Sequence, residues 1–205
     1  ILDAPFVIEQ GFGKPKWRPA NYSGKFYGLS TMRLGIEKSR NLMTVRLAQT
    51  VGMEIISKYA RDFGVFKNLP IQLSMALGAG ETTLFNLTRA YAMIVNGGKK
   101  IETTLIDRIQ DRNGNTIFRH DKRKCNQCRT DFWTNQGAPN LINESKQIIS
   151  PTSAFQMVSM LHGAVQRGTG KIINDLGIPL GGKTGTTNQS MDTWFIGFSP
   201  DLAVG

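Results

Sequence analysis

The residues best suited to chemistry lie in the segment Gly181-Gly182-Lys183-Thr184-Gly185-Thr186-Thr187. Glycine lets a backbone edge approach a ligand, because no side chain stands in the way. Each threonine adds a hydroxyl that can donate or accept a hydrogen bond at the same edge. The ammonium of Lys183 would add positive charge there. The segment therefore predicts a ligand site built along a stretch of backbone.

A phosphate-binding loop is the first alternative, because residues 177–184 match the pattern G-x-x-x-x-G-K-[ST]. Such a loop should open a helix, but residues 191–198 are aromatic and β-branched and predict a strand. Gly185 and Asn188 are poor helix formers at positions where the first turns would lie. The context favours Lys-Thr-Gly on a strand, one of three motifs of penicillin-binding proteins and serine β-lactamases.

A second motif of that set lies far upstream, at Ser39-Arg40-Asn41, and matches Ser-x-Asn in the expected order. Together with their flanking residues, these motifs resemble the class A (bifunctional) penicillin-binding proteins. The resemblance covers nearly the whole chain and is weakest over residues 122–148. The matching stretches are residues 19–22, 34–48, 77–83, 91–98 and 166–170.

The resemblance implies catalytic roles for three residues. Ser39 would relay a proton toward the leaving nitrogen, and Asn41 would fix the amide of the substrate. Lys183 would supply positive charge that steers the substrate carboxylate and favours a deprotonated lysine elsewhere in the site. Taken alone, Ser39 would be a helix cap, Asn41 a turn residue and Lys183 a solvated strand lysine. Their joint occurrence in order favours the functional interpretation.

The resemblance also implies the substrate-binding residues. Thr184 and Thr186 would hold the substrate carboxylate through their hydroxyls, and the backbone N–H of Thr186 would donate to the oxyanion. Gly185 would keep the strand edge clear. No cofactor and no metal are expected in this chemistry.

The third family motif, Ser-x-x-Lys, carries the nucleophile and is absent from these 205 residues. No serine has lysine three residues later: Ser39, for example, is followed by Leu42 at that spacing. We therefore expect residues 1–205 to be a partial transpeptidase domain, truncated at both ends, with the nucleophile before Ile1. The segment alone is expected to be catalytically inactive.

The function implied by the resemblance is a DD-transpeptidase and carboxypeptidase that acts on D-Ala–D-Ala stem peptides of peptidoglycan. It would proceed through a serine acyl-enzyme, and β-lactams would inhibit it covalently. The parent protein would carry a glycosyltransferase and a membrane anchor, face the periplasm from the inner membrane, and join a cell-wall synthesis complex. Two alternatives stay open: a serine β-lactamase, and a non-catalytic domain that binds peptidoglycan or β-lactams.

The charge balance is strongly basic, with 25 lysines and arginines against 15 acidic residues and a formal net charge of +10. This balance predicts an anionic neighbourhood, such as lipid headgroups or acidic cell-surface polymer. The basic residues are scattered and no nucleic-acid-binding module is present, so nucleic acid is not expected as a partner. Cys125 and Cys128 lack the second ligand pair of a structural zinc site, and a short-loop disulfide is favoured.

These motifs must be positioned by helices and a terminal antiparallel sheet, which predicts an α+β domain. The resemblance implies the penicillin-binding/serine β-lactamase-like fold, in which helices pack on an antiparallel sheet. An insertion or surface loop is predicted over residues 122–149, and a two-residue hairpin turn at Asn113-Gly114. Helices are predicted over 30–51 with a break near Ser39, 53–63, 83–95 and 150–167, and an antiparallel meander over 180–187, 192–198 and from 202.

Overall fold

The computed structural model describes residues 1–9, 12–13, 15–123, 125, 128, 132, 134–137, 139, 141–142, 144–187 and 191–205. The α-helices in these ranges are α1 (Met32–Glu37), α2 (Asn41–Val51), α3 (Met53–Asp62), α4 (Leu84–Val95) and α5 (Pro151–Gln166). The strands are β1 (Leu2–Asp3), β2 (Gly28–Leu29), β3 (Arg108–Gln110), β4 (Thr116–Arg119), β5 (Gly181–Thr186), β6 (Thr193–Phe198) and β7 (Ala203–Val204). Short 3-10 helices span Leu73–Leu77 and Lys171–Leu176.

Hydroxyl side chains set the starts of three helices. Thr31, Thr83 and Ser150 each accept a hydrogen bond from the backbone N–H three residues later, at the starts of α1, α4 and α5. Such a cap satisfies one of the backbone donors that a helix start leaves without a partner. Pro151 then occupies the first turn of α5, where its missing N–H costs nothing. The predicted start of this helix is confirmed.

The predicted break near Ser39 is also confirmed. Helix α1 ends at Glu37 and α2 begins at Asn41, so Ser39 lies in the three-residue connection. Its backbone is left-handed, with φ of 54°. A non-glycine residue seldom adopts this conformation, because its Cβ is crowded by the backbone. The connection therefore holds the serine in a specific orientation between two helices.

The sheet at the end of the chain is the predicted antiparallel meander, with strand order β5-β6-β7. In its register, Lys183 pairs with Ile196 and Gly185 with Trp194. Among the described residues, β5 pairs with β6 and with no second strand, so β5 is an edge strand. Lys183 and Thr184 are thus strand residues, which contradicts the phosphate-loop alternative. One backbone edge of β5 faces away from the sheet.

The buried core joins the helices to this sheet. Helix α5 packs against β5, and α4 packs against β6. The most completely buried apolar side chains come from α2, α4, α5 and β6, and include Leu42, Val45, Met93, Val165 and Ile196. Helices packed on an antiparallel sheet confirm the α+β class. In the part of the chain that is described, no helix is both long and apolar enough to cross a membrane.

Two peripheral predictions have different outcomes. The predicted hairpin around Asn113-Gly114 is confirmed, because β3 pairs antiparallel with β4. Its two-residue turn is wrong, because only Gly114 has a positive φ and an Asn-Gly turn of that type requires one at both residues. The carboxylate of Asp111 instead accepts from the backbone N–H of Asn113 and of Asn115, which makes a longer loop. The expected disulfide between Cys125 and Cys128 is present. The predicted insertion 122–149 lies partly outside the described residues.

Candidate active site

The structure brings Ser39 and Lys183 into direct contact, although 144 residues separate them in the chain. Lys183 Nζ donates a hydrogen bond of 2.9 Å to Ser39 Oγ. The same ammonium donates to the backbone carbonyl of Thr184 at 2.8 Å. The α1–α2 connection therefore meets strand β5 through these two side chains, and the two sequence motifs form one site.

Burial changes the proton affinity of the lysine. Lys183 is half-buried between the strand and the helices. Loss of solvent around the ammonium disfavours its charged form and lowers the pKa of Lys183. Its hydrogen bond to the Ser39 hydroxyl gives this cation a short path for proton exchange.

Asn41 is the first residue of α2 and is held by a loop from far upstream. Its amide Nδ2 donates to the carbonyl of Ala20 at 2.9 Å. In the same loop, Asn21 Oδ1 accepts from the backbone N–H of Leu42 at 3.3 Å and so caps α2 in place of a local side chain. Asn21 is only 4% exposed and donates to the Asp3 carboxylate at 2.7 Å. A buried polar network thus orients the start of α2.

The predicted substrate-binding residues lie along β5. Thr184 Oγ1 is 2.8 Å from Thr169 Oγ1, so two hydroxyls form a pair at this edge of the sheet. Thr186 is exposed near the end of the strand, opposite Thr193 of β6. Thr184, Gly185 and Thr186 therefore lie on the same edge strand as Lys183.

The glycines of β5 differ in what surrounds them. A Cβ on Gly182 would lie 2.6 Å from Phe195 Cζ, and one on Gly181 would lie 2.5 Å from Phe198 Cζ. These two glycines are required by packing inside the protein. A Cβ on Gly185 would have only Trp194 O within 4 Å, at 3.9 Å. Packing within this chain therefore does not require glycine at position 185.

Two contacts beside Ser39 were missed by the motif analysis. Glu37 is 3% exposed and accepts hydrogen bonds from Arg167 at 2.5 and 3.2 Å. The guanidinium of Arg40 stacks on the Tyr27 ring at 3.3 Å from its centre. The Tyr27 hydroxyl shares a hydrogen bond with Ser23 Oγ at 3.3 Å, and its interactions with Ser23 and Arg40 lower the pKa of Tyr27. Gly163 inside helix α5 and Gly168 just after it are sequence signals of a close approach near Glu37.

This arrangement can assist acyl transfer. It combines an ammonium with a lowered pKa, a hydroxyl in contact with it, and an open strand edge that carries further hydroxyls. Such groups can move a proton and stabilise negative charge on a substrate. Among the described residues, no group of three histidine, cysteine or acidic side chains is placed to hold a metal ion.

Comparison with known proteins gives consistent matches over almost the whole chain. The family model described as the penicillin binding protein transpeptidase domain matches residues 5–203. Penicillin-binding protein 1A of Rickettsia conorii is 47% identical over 207 residues, covering 99% of this chain and 26% of that protein. Penicillin-binding protein 1A of Neisseria lactamica is 34% identical over 98% of this chain and 24% of its own length.

A solved structure shows the same fold. The crystal structure of penicillin-binding protein 1A from Haemophilus influenzae superposes with a TM-score of 0.78 at 30% identity. The match covers 97% of this chain and 32% of that chain. The chain therefore spans about a quarter of the length of the curated relatives and a third of the solved one.

Proposed function

Because the chain belongs to the penicillin-binding protein transpeptidase domain family, we propose that it forms part of a DD-transpeptidase of peptidoglycan synthesis. The contact between Lys183 Nζ and Ser39 Oγ carries this proposal. This contact brings the Ser-x-Asn and Lys-Thr-Gly motifs together, as an active site of this class requires. The substrate would be a stem peptide that ends in D-Ala–D-Ala, and β-lactams would act as covalent inhibitors.

The first step would be acylation of a serine supplied by a segment outside these 205 residues. The serine oxygen would form a bond to the carbonyl carbon of the penultimate D-alanine, and the peptide C–N bond would break. Its proton would pass through Ser39 to the departing amine, which leaves as D-alanine. The cationic Lys183 would donate to Ser39 and hold the hydroxyl in place for this transfer. Lys183 would return to the same state after each turnover.

The second step would resolve the acyl-enzyme. An amino group of a neighbouring stem peptide would form the new amide bond as the serine ester C–O bond breaks. The amine proton would return to the serine oxygen by the reverse route through Ser39. If water replaced the amine, the outcome would be carboxypeptidase activity. We propose that both outcomes use the same site.

The substrate would lie along the free edge of β5. An exposed strand edge offers backbone N–H and C=O groups that an extended peptide can pair with. The hydroxyls of Thr184 and Thr186 would bind the terminal carboxylate, and the Thr186 N–H would donate to the oxyanion. Gly185 would leave room for the peptide, because no side chain stands between this strand and the ligand. Packing within the chain does not explain the glycine, since a Cβ there would meet only Trp194 O, at 3.9 Å.

A β-lactamase would need a carboxylate free to activate water against the acyl-enzyme. Glu37 is only two residues from Ser39, but Arg167 occupies both of its carboxylate oxygens. This ion pair disfavours Glu37 as a deacylating base. A non-catalytic binding domain is disfavoured by the intact contact between Ser39 and Lys183.

The remaining features of the parent protein are proposed from the family. Its relatives are named penicillin-binding protein 1A and are about four times as long as this chain. We propose a separate glycosyltransferase domain, a membrane anchor, a periplasmic location at the inner membrane, and assembly with other cell-wall synthesis proteins. We further propose that residues 122–149 form an insertion or surface loop of the transpeptidase domain.

Release of D-alanine tests this function directly. The full-length protein is incubated with a stem pentapeptide ending in D-Ala–D-Ala, and free D-alanine and cross-linked product are measured together. We expect both products, with both strongly reduced in the Ser39→Ala and Lys183→Ala variants. A folded protein that releases no D-alanine would contradict the proposal. A Tyr22→Ser variant serves as the control, because Tyr22 is exposed and outside the site.

A further inference from the structure

The connection that carries Ser39 is anchored to helix α5 by an ion pair that no motif predicts. Glu37, the last residue of α1, accepts from Arg167 Nη2 at 2.5 Å and from Arg167 Nε at 3.2 Å. The Glu37 side chain is 4% exposed, whereas that of Arg167 is 54% exposed. A buried carboxylate needs such a partner, because it has lost its water. The two parallel hydrogen bonds fix the orientation of the Glu37 carboxylate relative to the Arg167 guanidinium, as well as the distance between them.

Backbone groups join the same two segments. The backbone N–H of Thr169 donates to the carbonyl of Glu37 at 3.1 Å, so the segment after α5 pairs with the residue before the Ser39 connection. Lys38 Nζ donates to the carbonyl of Arg167. Three separate contacts therefore join Glu37 and Lys38 to residues 167–169. Thr169 continues the connection to β5 through its hydroxyl pair with Thr184.

Two glycines make this approach possible. A Cβ on Gly163 would lie 1.9 Å from Glu37 Oε1, and one on Gly168 would lie 2.1 Å from the Glu37 carbonyl oxygen. Gly163 lies inside helix α5, where glycine is less favourable than alanine. The close packing of the Glu37 carboxylate against α5 explains why glycine occupies position 163.

We propose that the Glu37–Arg167 ion pair positions Ser39 so that its hydroxyl meets Lys183. Glu37 and Arg167 are positioning residues here: they act through the backbone of the α1–α2 connection and touch no reacting atom. The left-handed backbone of Ser39 makes this support necessary, because that conformation must be imposed by its surroundings. The inference rests on the proposed transpeptidase function, since it concerns the same Ser39.

Acylation kinetics of the full-length protein test the proposal. Benzylpenicillin binding is separated into its initial affinity and its acylation rate at saturation, with a thermal melt for each variant. Arg167→Ala is expected to lower the acylation rate at least about 10-fold, because a small misplacement of a reacting group has effects of this size. The initial affinity should change much less. Arg167→Lys should restore part of the rate, since it keeps the charge without the fork.

Arg33→Ala is the matched control. Arg33 is 3.8 Å from the same Glu37 carboxylate but also contacts Ser159, away from the Ser39 connection. It should leave the acylation rate close to that of the wild type. An Arg167→Ala protein that melts normally and acylates at the wild-type rate would overturn the proposal, as would a loss confined to initial affinity. If Arg167→Ala does not fold, Arg167→Lys with an unchanged rate overturns it equally.

The wild-type protein separates this inference from the function on which it rests. A wild type that forms no adduct contradicts the transpeptidase function and the inference with it. A wild type that is acylated normally, with Arg167 variants equal to it, contradicts the inference alone. Reduced acylation in Arg167→Ala, with partial recovery in Arg167→Lys, supports both.

Discussion

Lys183 Nζ lies 2.9 Å from Ser39 Oγ and joins the edge strand β5 to the connection between α1 and α2. The contact depends on elements from both ends of the chain. Strand β5 places the lysine, and the left-handed backbone of Ser39 turns the hydroxyl toward it. A substitution that moves Ser39 away from Lys183 should therefore lower the acylation rate more than it lowers the stability of the fold.

The pH dependence of acylation should show the titration of Lys183. Burial lowers the pKa of this ammonium, so it loses its proton at a lower pH than a free lysine does. Because the proposed transfer uses the charged form of Lys183, the acylation rate of the full-length protein should fall as pH rises through that lowered pKa. In Lys183→Arg the falling limb should disappear, because a guanidinium stays charged beyond about pH 12. Identical alkaline limbs in both proteins would refute this assignment.

Gly185 should matter to the ligand and hardly to the fold. The methyl group of Gly185→Ala would meet no protein atom closer than Trp194 O, at 3.9 Å, so the melting temperature should stay near that of the wild type. The acylation rate by benzylpenicillin should fall about 10-fold, because the methyl group displaces the ligand from the strand edge.

Gly182→Ala is the matched control for this prediction. Its Cβ would lie 2.6 Å from Phe195 and 2.7 Å from the Ile196 carbonyl. We expect a loss of about 1–3 kcal/mol in stability from such overpacking. A Gly185→Ala protein with normal acylation would remove the argument that this glycine serves the substrate.

Asn21 should stabilise the start of α2 from a distance. Asn21→Ala would leave the backbone N–H of Leu42 and the buried carboxylate of Asp3 without their amide partner. An unsatisfied buried polar group costs about 1–3 kcal/mol, so the thermal melt should shift clearly downward. Tyr22→Ser, one residue away and fully outside the network, should melt like the wild type. Equal melting temperatures for the two variants would show that the network is dispensable.

The site motifs could be predicted because each is a short run of residues with a fixed order. Ser39-Arg40-Asn41 and the Lys183 segment were recognised directly, and β-branched and aromatic residues predicted the meander that carries Lys183. The break near Ser39 was also predicted. Its left-handed backbone was not, because serine has no special preference for that conformation.

The supports of the site could not be predicted in the same way. Glu37 and Arg167 are 130 residues apart, and each alone resembles an ordinary charged surface residue. The cap that Asn21 gives to α2 comes from a loop 21 residues upstream, whereas sequence rules search for a cap at the helix start itself. Long-range polar contacts depend on the packed fold, which local patterns do not contain.

The 205-residue segment by itself should form no covalent adduct with benzylpenicillin. None of its serines is followed by lysine at the third position, so it offers no activated nucleophile of the family type. Intact-mass spectrometry of the folded segment after incubation checks this expectation. An adduct located on Ser39 would show that the roles assigned here are wrong, since Ser39 would then be the nucleophile.

Intact-mass spectrometry of the full-length protein after benzylpenicillin tests the central claim most directly. We predict one long-lived adduct on a Ser-x-x-Lys serine outside these 205 residues. The adduct should form about 10²–10³-fold more slowly in Lys183→Ala, the usual effect of removing one electrostatic contact to the transition state. A short-lived adduct with released penicilloic acid would indicate a β-lactamase. A folded protein that forms no adduct would contradict the assignment of a penicillin-reactive transpeptidase.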